Sequence, residues 1–290
     1  MGKLELDLLL ARVDHLPTLP TVALSVGRLV EDPASDSRVI ADTLKADQAL
    51  TARVLALVNS AHYAIPGGVA DVRRAISYLG FNTVYQLVIT VSVFDALAEV
   101  PGTAFDLKAL WRHSLGVAIV AEGAARQIGH PSPEDLFSAG LLHDIGKVAL
   151  AKIAQDKLSE VVRTAIESGI SFRESELTHG LPCHDQLGRR LAERWRLPGT
   201  VVAGIGHHHR LTDAALAVLP PSLRVVPDVV ALGDGICRQA EIGSGGDATA
   251  YEIDQRVIER LNLSQATVQT IADELPRALE RSKVFLEVLS

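Results

Sequence analysis

The sequence predicts an all-α fold in two lobes, and three observations carry that expectation. Hydrophobic residues fill 48% of the 290 positions but aromatics only 4%, so the core must be built from Leu, Val, Ala and Ile, which suits packed helices. Apolar residues recur at three- and four-residue spacing through most segments. Those segments are bracketed by capping residues, prolines and glycines. A chain of this length can bury a large core as one large domain or two modest ones.

Residues 1 to 15 read as a short helix. Pro17 and Pro20 then hold Leu16-Pro17-Thr18-Leu19-Pro20 extended, because each fixes its own φ and restricts the residue before it. Val22, Val26, Leu29 and Val30 repeat at helical spacing up to Pro33, and Ser35 or Asp36 can cap the next helix, through Leu44. Asp47 can cap a further helix with the stripe Leu50, Val54, Leu57 and Val58, which Pro66-Gly67-Gly68 breaks. Val69 to Leu79 is expected to end at Gly80 in a left-handed conformation, with Asn82 capping an apolar helix to about Leu97. The stretch from Arg73 to Gln86 invites a helix-turn-helix reading, but Val84 to Phe94 is nearly all apolar where a recognition helix needs polar and basic residues. Two core helices joined by a tight turn are the plainer expectation.

Pro101-Gly102 marks an expected lobe boundary. Beyond it Leu110 to Ile128 reads as one helix, Pro133 starts another, and Val148 to Ser168 continues helically before Gly169. Pro182 opens a helix through Trp195, Pro198 one that ends in the histidine triplet, and Ser244-Gly245-Gly246 is the last flexible stretch. From Tyr251 to Leu289 the pattern is again amphipathic helix, with Ile253, Val257, Ile258 and Leu261 on one face. The expected segments are therefore an N-terminal lobe over 1–100, a histidine-bearing lobe over 101–243 and a C-terminal extension over 244–290.

Charge and cysteine usage narrow the function classes. A net charge of −7 argues against a general nucleic-acid surface, which needs Lys and Arg in excess along one face. Cys183 and Cys237 are too few for a disulfide framework and lack a CxxC zinc spacing, so a reducing cytoplasm is the expected location. Acids near the N-terminus spoil a secretory signal, and no apolar run reaches the roughly 20 residues a bilayer requires. Leu87 to Phe94 reads as core, and no membrane partner is expected.

The chemistry gathers at Ala139-Gly140-Leu141-Leu142-His143-Asp144-Ile145-Gly146-Lys147. An adjacent His and Asp at a helix end can reach one cation from neighbouring directions. Further candidate ligands are His113, His184, His208, His209 and Asp234. Asp234 shares a stripe with Val230 and Cys237, His184 with Gly188, Leu191 and Trp195, and His209 follows Val202 and Ile205, so these groups are expected to face the core. Inward histidines and carboxylates need cations or hydrogen-bond partners, and a shared metal supplies them. Mixed imidazole and carboxylate donors suit Fe, Mn, Ni or Zn, as one ion or two bridged by Asp144. Lys147 has two readings, a phosphate contact or a solvated helix lysine. His130, His207 and Cys183 are expected to be structural, and Arg189, Arg190, Arg194 and Arg196 a solvated basic face.

The order His113, His143-Asp144, Asp234 resembles the HD superfamily of metal-dependent phosphohydrolases, with His184 and His208-His209 as expected of its HD-GYP branch. Leu16-Pro17-Thr18-Leu19-Pro20, Asp47 to Ser60, Ala75 to Gly80, Gly140 to Lys147 and Trp195-Arg196-Leu197-Pro198 together are similar to the HDOD family, from about Leu16 to Arg210. That resemblance implies an N-terminal helical lobe packed on an HD-like helical lobe, and a bacterial signalling or regulatory role exerted through a protein partner, mostly without catalysis. HD-GYP enzymes continue past the histidine pair with Glu-Arg and an Asp-Gly-x-Gly-Tyr-Pro segment. Here Arg210, Leu211, Thr212 and Asp213 stand instead, which argues against cyclic di-GMP hydrolysis. The alternative that the resemblance keeps open is a metal-dependent phosphohydrolase acting on a nucleotide or cyclic dinucleotide, with Lys147 at the phosphate.

Overall fold

The computed structural model describes residues 3–32, 34–98, 106–247 and 252–289, and every regular element among them is helical. Two compact units emerge, neither continuous in sequence. One comprises Met1–Leu16 with Glu99–Leu275, the other Pro17–Ala98 with Pro276–Ser290. The sequence pattern gives three consecutive segments instead, because linear order does not reveal which core a terminal helix joins. The expected boundary at Pro101-Gly102, the stop at Pro33 and the start at Tyr251 lie outside the described residues.

The first helix, α1 (Lys3–Val13), belongs to the larger unit, and α2 (Thr21–Glu31), α3 (Ser37–Leu44), α4 (Gln48–Val58) and α5 (Val72–Leu97) to the smaller. Side-chain caps fix three of these starts. Asp36 accepts from the Arg38 N–H at 2.7 Å, Asp47 from Leu50 at 3.0 Å and Asp71 from Arg73 at 2.6 Å. Each cap satisfies an amide that has no partner within its helix. Asp47→Ala is expected to cost about 1 kcal/mol, read as a lower denaturation midpoint with an unchanged m-value.

Leu50, Val54, Leu57 and Val58 are all buried, as their stripe requires. Asn59 closes the next loop by pairing with both backbone groups of Val69, donating at 2.8 Å and accepting at 2.7 Å. Gly80 interrupts α5, with φ 80° and ψ 168°. This is positive φ but not the left-handed helical cap expected, so the chain kinks there and resumes its helix without leaving the element. By length and composition α5 could cross a bilayer. Val84 through Phe94 are buried within the unit, however, so the apolar stretch is accounted for as core. Arg73 pairs with Asp42 at 2.9 Å, which occupies the first cation of the helix-turn-helix reading.

The larger unit continues through α6 (Leu107–Gln127), α7 (Pro133–Leu142), α8 (Ile145–Ile153), α9 (Gln155–Ser168), α10 (Phe172–Thr178), α11 (His184–Arg194), α12 (Gly199–His207), α13 (Asp213–Ala217), a 3-10 turn at Pro221–Leu223, α14 (Val225–Gln239) and α15 (Gln255–Arg260). α16 (Gln265–Arg281) contains the division between units, and α17 (Lys283–Leu289) belongs to the smaller. The stretch from Val148 to Ser168, expected as one helix, breaks at Ala154, where φ is −156° and ψ 62°. Alanine is the strongest helix former, so nothing local announces that break. Likewise the stretch from Tyr251 to Leu289 divides into α15, α16 and α17.

The core of this unit packs α6 against α7 and α14, and α12 against α7 and α14, while α8 crosses α11. Small residues permit the closest approaches. A methyl group on Gly140 would meet the Ala118 backbone at 2.8 Å, and one on Gly233 the Val117 carbonyl at 2.9 Å. At the α8–α11 crossing Gly146 lies directly against the His184 carbonyl and, with Gly188, leaves no room for any side chain. Helix α11 also carries three of the four arginines expected to be solvated, Arg196 lying just beyond its end. Arg189 pairs with Glu193, Arg190 with Asp14, and Arg194 donates to the carbonyl of Leu16 at 2.8 Å. Two of them therefore tie α11 to the α1 segment.

Candidate metal centre

The seven expected ligands arrive from six helices or their ends. His113 projects from the middle of α6, His143 and Asp144 form the corner between α7 and α8, and His184 opens α11. His208 and His209 come just after α12, and Asp234 lies in α14. All but His209 are at most 5% exposed, and His209 is half-buried. The corner forms because Asp144, with φ −100° and ψ 14°, separates two helices whose axes would otherwise be continuous. This turns its carboxylate into the space between them.

Donor atoms converge as three overlapping groups: His113, His143 and Asp234; His143, Asp144 and His208; and His184, His208 and His209. Within each group they lie within 4.8 Å of one another. His113 Nε2 is 3.1 Å from Asp234 Oδ1. Asp144 is the hinge of the arrangement. Its Oδ2 lies 3.3 Å from His143 Nε2, and its Oδ1 lies 3.3 Å from His184 Nε2 and 3.9 Å from His208 Nε2. His184 Nε2 and His209 Nε2 are 3.1 Å apart.

The partners behind three of the imidazoles determine what faces inward. His143 Nδ1 donates to the Gly140 carbonyl at 2.7 Å and His208 Nδ1 to the Gly204 carbonyl at 3.0 Å, while His184 Nδ1 and Glu176 Oε2 share a hydrogen bond of 2.8 Å. A carbonyl oxygen only accepts, so in the neutral rings of His143 and His208 Nδ1 carries the proton and Nε2 presents a lone pair to the centre, while Glu176 fixes the orientation of the His184 ring. An orienting hydrogen bond on the far ring nitrogen is the usual companion of a metal-bound histidine. Within the protein, His143 Nε2, His208 Nε2 and Asp144 Oδ1 have no hydrogen-bond partner although they are buried. Unpaired buried groups of this kind are costly, and a cation among them removes the cost.

Protonation favours the same chemistry. Burial, reinforced by Lys147, holds the His184 pKa well below the ordinary imidazole range. Burial and neighbouring imidazoles depress His208 and His209. Burial also pushes His143 down, but the adjacent Asp144 carboxylate outweighs it and raises that pKa. Burial works against ionising Asp144 and Asp234, yet His143 and Lys147 hold the first carboxyl well below its usual range, and the His113 hydrogen bond and charge do the same for the second. Burial thus favours neutral imidazoles at His184, His208 and His209 beside ionised carboxylates, the forms that bind a transition metal. The donor set fits such an ion, which would replace the His113–Asp234 and His184–His209 contacts.

Lys147 is 2% exposed, so the solvated reading fails. Its ammonium pairs with Asp144 Oδ2 at 2.8 Å and donates to the Gly245 carbonyl at 2.7 Å. Burial lowers its pKa, but Asp144 and Asp247 more than offset that and raise it, so it stays charged. Cys183 is a buried thiol whose pKa burial pushes up to about 12, which makes it unreactive. His130 accepts from the Ser132 N–H at 3.2 Å. His207 is buried outside the donor groups.

Two contributors escaped sequence reasoning. Glu176 is fully buried on α10 and grips His184 twice, accepting from its backbone N–H at 2.7 Å and sharing a hydrogen bond of 2.8 Å with its ring. The available signal was its stripe with Phe172 and Ser175, all buried. Burial raises the Glu176 pKa well above the usual carboxylate range. Glu176→Ala frees the His184 ring, and metal affinity is expected to fall by about 10–100-fold, measured by competition with a chromogenic chelator. The second is the segment Gly243–Asp247, which supplies Gly245 and Asp247 around Lys147.

Comparison with known proteins agrees with this architecture. The HDOD domain model matches residues 16–211. An HDOD domain protein of unknown function from Geobacter sulfurreducens is 29% identical, with coverage of 99% of both chains and a TM-score of 0.76. A protein from Shewanella amazonensis SB2B, named as a candidate phosphohydrolase, is 23% identical over 97% of this chain and 98% of its own, with a TM-score of 0.72. A candidate signal transduction protein from Marinobacter aquaeolei VT8 is 23% identical over 100% of this chain and 62% of its own, with a TM-score of 0.75. The chain spans 39% of the length of an uncharacterized Treponema pallidum (strain Nichols) relative, to which it is 28% identical over 204 residues. With the family model covering about two thirds of its length and its all-helical architecture shared across these structures, the chain belongs to the HDOD domain family.

Proposed function

We propose that this HDOD protein is a cytoplasmic signalling or regulatory component that carries a transition metal in its helical centre and acts by engaging a protein partner rather than by turnover. The observation that carries the metal half is the inward aim of the unpaired, buried His143 and His208 Nε2 atoms at Asp144, each ring fixed by a carbonyl acceptor behind it. His113, His143, Asp144 and Asp234 would hold one ion, and Asp144, His184, His208 and His209 a second. Fe, Mn, Ni and Zn all suit this donor set. The regulatory half is supported by the family, by the signal transduction relative, and by the replacement of the Glu-Arg and GYP segments with Arg210, Leu211, Thr212 and Asp213.

A bound metal would supply Lewis acidity and a counter-charge for the buried carboxylates. The protein's own residues hold Asp144 ionised, keep the His143 and His208 imidazoles in the donor tautomer, and place the charged Lys147 beside the shared carboxylate. That last feature favours a second reading, a metal-dependent phosphohydrolase of a nucleotide or cyclic dinucleotide, as the name of the Shewanella relative also suggests. The two are separated by a nucleotide and cyclic-dinucleotide hydrolysis screen with added Mn or Fe. The regulatory reading expects wild type and Asp144→Ala to give the same background. Hydrolysis by wild type that Asp144→Ala abolishes would establish the enzyme instead. Pull-down with the metal-loaded protein, compared with His143→Ala/Asp144→Ala, tests whether partner capture depends on the centre.

A further inference from the structure

Behind the donor groups lies a set of cationic and N–H donors that no ligand role in the centre explains. Asp247 reaches into it from the glycine-rich segment Gly243-Ser244-Gly245-Gly246. One of its oxygens, Oδ1, accepts from the Phe172 N–H at 2.7 Å and lies 3.1 Å from an Arg238 nitrogen. The other, Oδ2, lies 3.6 Å from the Lys147 ammonium. Lys147 and Arg238 are both nearly fully buried, 3% and 8% exposed at the side chain. Lys147 also rests 4.9 Å above the Phe172 ring, and Arg238 lies 3.4 Å from Asp234 Oδ2. Two buried cations and a backbone amide directed at one carboxylate constitute an anion site with an occupant from the same chain.

The occupant is carried by a glycine-rich segment. Gly243 and Gly246 have φ of 65° and 83°, a region that glycine enters without strain. The segment is held by Ser244 N–H to the Ala109 carbonyl at 3.0 Å, by Lys147 to the Gly245 carbonyl and by the Asp247 contacts themselves. It passes so close to the centre that a methyl group on Gly245 would lie 3.0 Å from the Lys147 nitrogen and 3.5 Å from Asp144 Oδ2. Whatever enters the anion site must displace this strap and, in doing so, uncovers Asp144.

We propose that Lys147, Arg238 and the Phe172 N–H form an anion subsite for a phosphate group, and that the Asp247 carboxylate is a built-in occupant which keeps the subsite and the adjacent centre closed. A phosphate carries about −1.5 to −2 charge and three acceptor oxygens, against one charge and two oxygens for Asp247. It therefore satisfies the same donors more fully and gains a planar guanidinium contact that Arg238 is built to make. Binding of the phosphate and release of the strap are one exchange. The inference goes beyond the signalling role proposed above, and none of its three donors is a metal ligand.

The test is calorimetric titration of inorganic phosphate into wild type, Asp247→Ala, and Asp247→Ala/Arg238→Met, as purified and after chelation. Removing the internal competitor is expected to tighten phosphate binding about tenfold, as when a binding-competent state goes from a minor to the dominant population. Adding Arg238→Met should return the affinity to the wild-type level or below. Equal affinity in wild type and Asp247→Ala, or tight binding retained in the double variant, would overturn the proposal. Amide exchange in wild type gives an answer that needs no variant to fold. Saturating phosphate should accelerate exchange across 243–247, and unchanged exchange would count against the strap. Metal content measured on the same samples reports separately on the centre, so an absent metal and an absent subsite give different results.

Discussion

Asp144→Ala is expected to destabilise the metal-free protein by about 3 kcal/mol, the lower end of the cost of removing one partner from a buried ion pair. Its ammonium partner, Lys147, stays buried and charged, left with Asp247 at 3.6 Å, the Gly245 carbonyl and the Phe172 ring to compensate it. Chemical denaturation of chelated wild type and variant measures the difference. Combined with His143→Ala, the same change breaks one donor triad outright and removes the carboxylate shared between the two halves of the centre. Bound metal should then fall by at least one equivalent per chain. A double variant with wild-type metal content would show that the ion sits elsewhere.

Gly146→Ala is expected to have the second large effect. Its added methyl group would be driven into the His184 carbonyl, with the Gly188 amide at 2.8 Å as the next obstacle. Overpacking typically costs about 1–3 kcal/mol, and the upper end applies here because backbone rather than a flexible side chain blocks the space. Relief requires α11 to retreat from α8, and His184 is the first residue of α11. Stability and metal affinity should therefore fall together. Gly129→Ala is a useful contrast. Gly129 has open space around it and a φ of 70°, so a methyl group there brings backbone strain without a clash, and metal affinity should be preserved.

Much of this site was legible in the sequence because its ligands lie on periodic helices. His184 with Leu191 and Trp195, and Asp234 with Val230 and Cys237, share stripes whose apolar members are buried, so the pattern also gave the direction of the polar ones. The adjacent pair His143-Asp144 marked a corner between helices, and the structure places one there. Asp36, Asp47 and Asp71 carry caps, but only the first two were expected, since the helix after Asp71 was read as starting at Val69.

The features that sequence could not give are of two kinds. Glu176 acts through His184, eight residues further on, across the α10–α11 connection, and its stripe with Phe172 and Ser175 does not reveal which group the buried acid meets. Asp247 meets Phe172 from 75 positions away, and Lys147 meets Gly245 from 98. Such contacts are fixed by tertiary packing, which spacing rules do not encode. The discontinuous units fail for the same reason, because the stripes of α1 and α17 show that each helix has a buried face but not which core receives it.

The central claim is that the converging imidazoles and carboxylates hold a transition metal. Elemental analysis with X-ray absorption on protein purified without chelator tests it most directly. The expected result is at least one equivalent of Fe, Mn, Ni or Zn per chain, with nitrogen and oxygen neighbours at about 2.0–2.2 Å. A folded protein with no bound metal, which still takes up none when Fe, Mn, Ni or Zn is supplied, would contradict it.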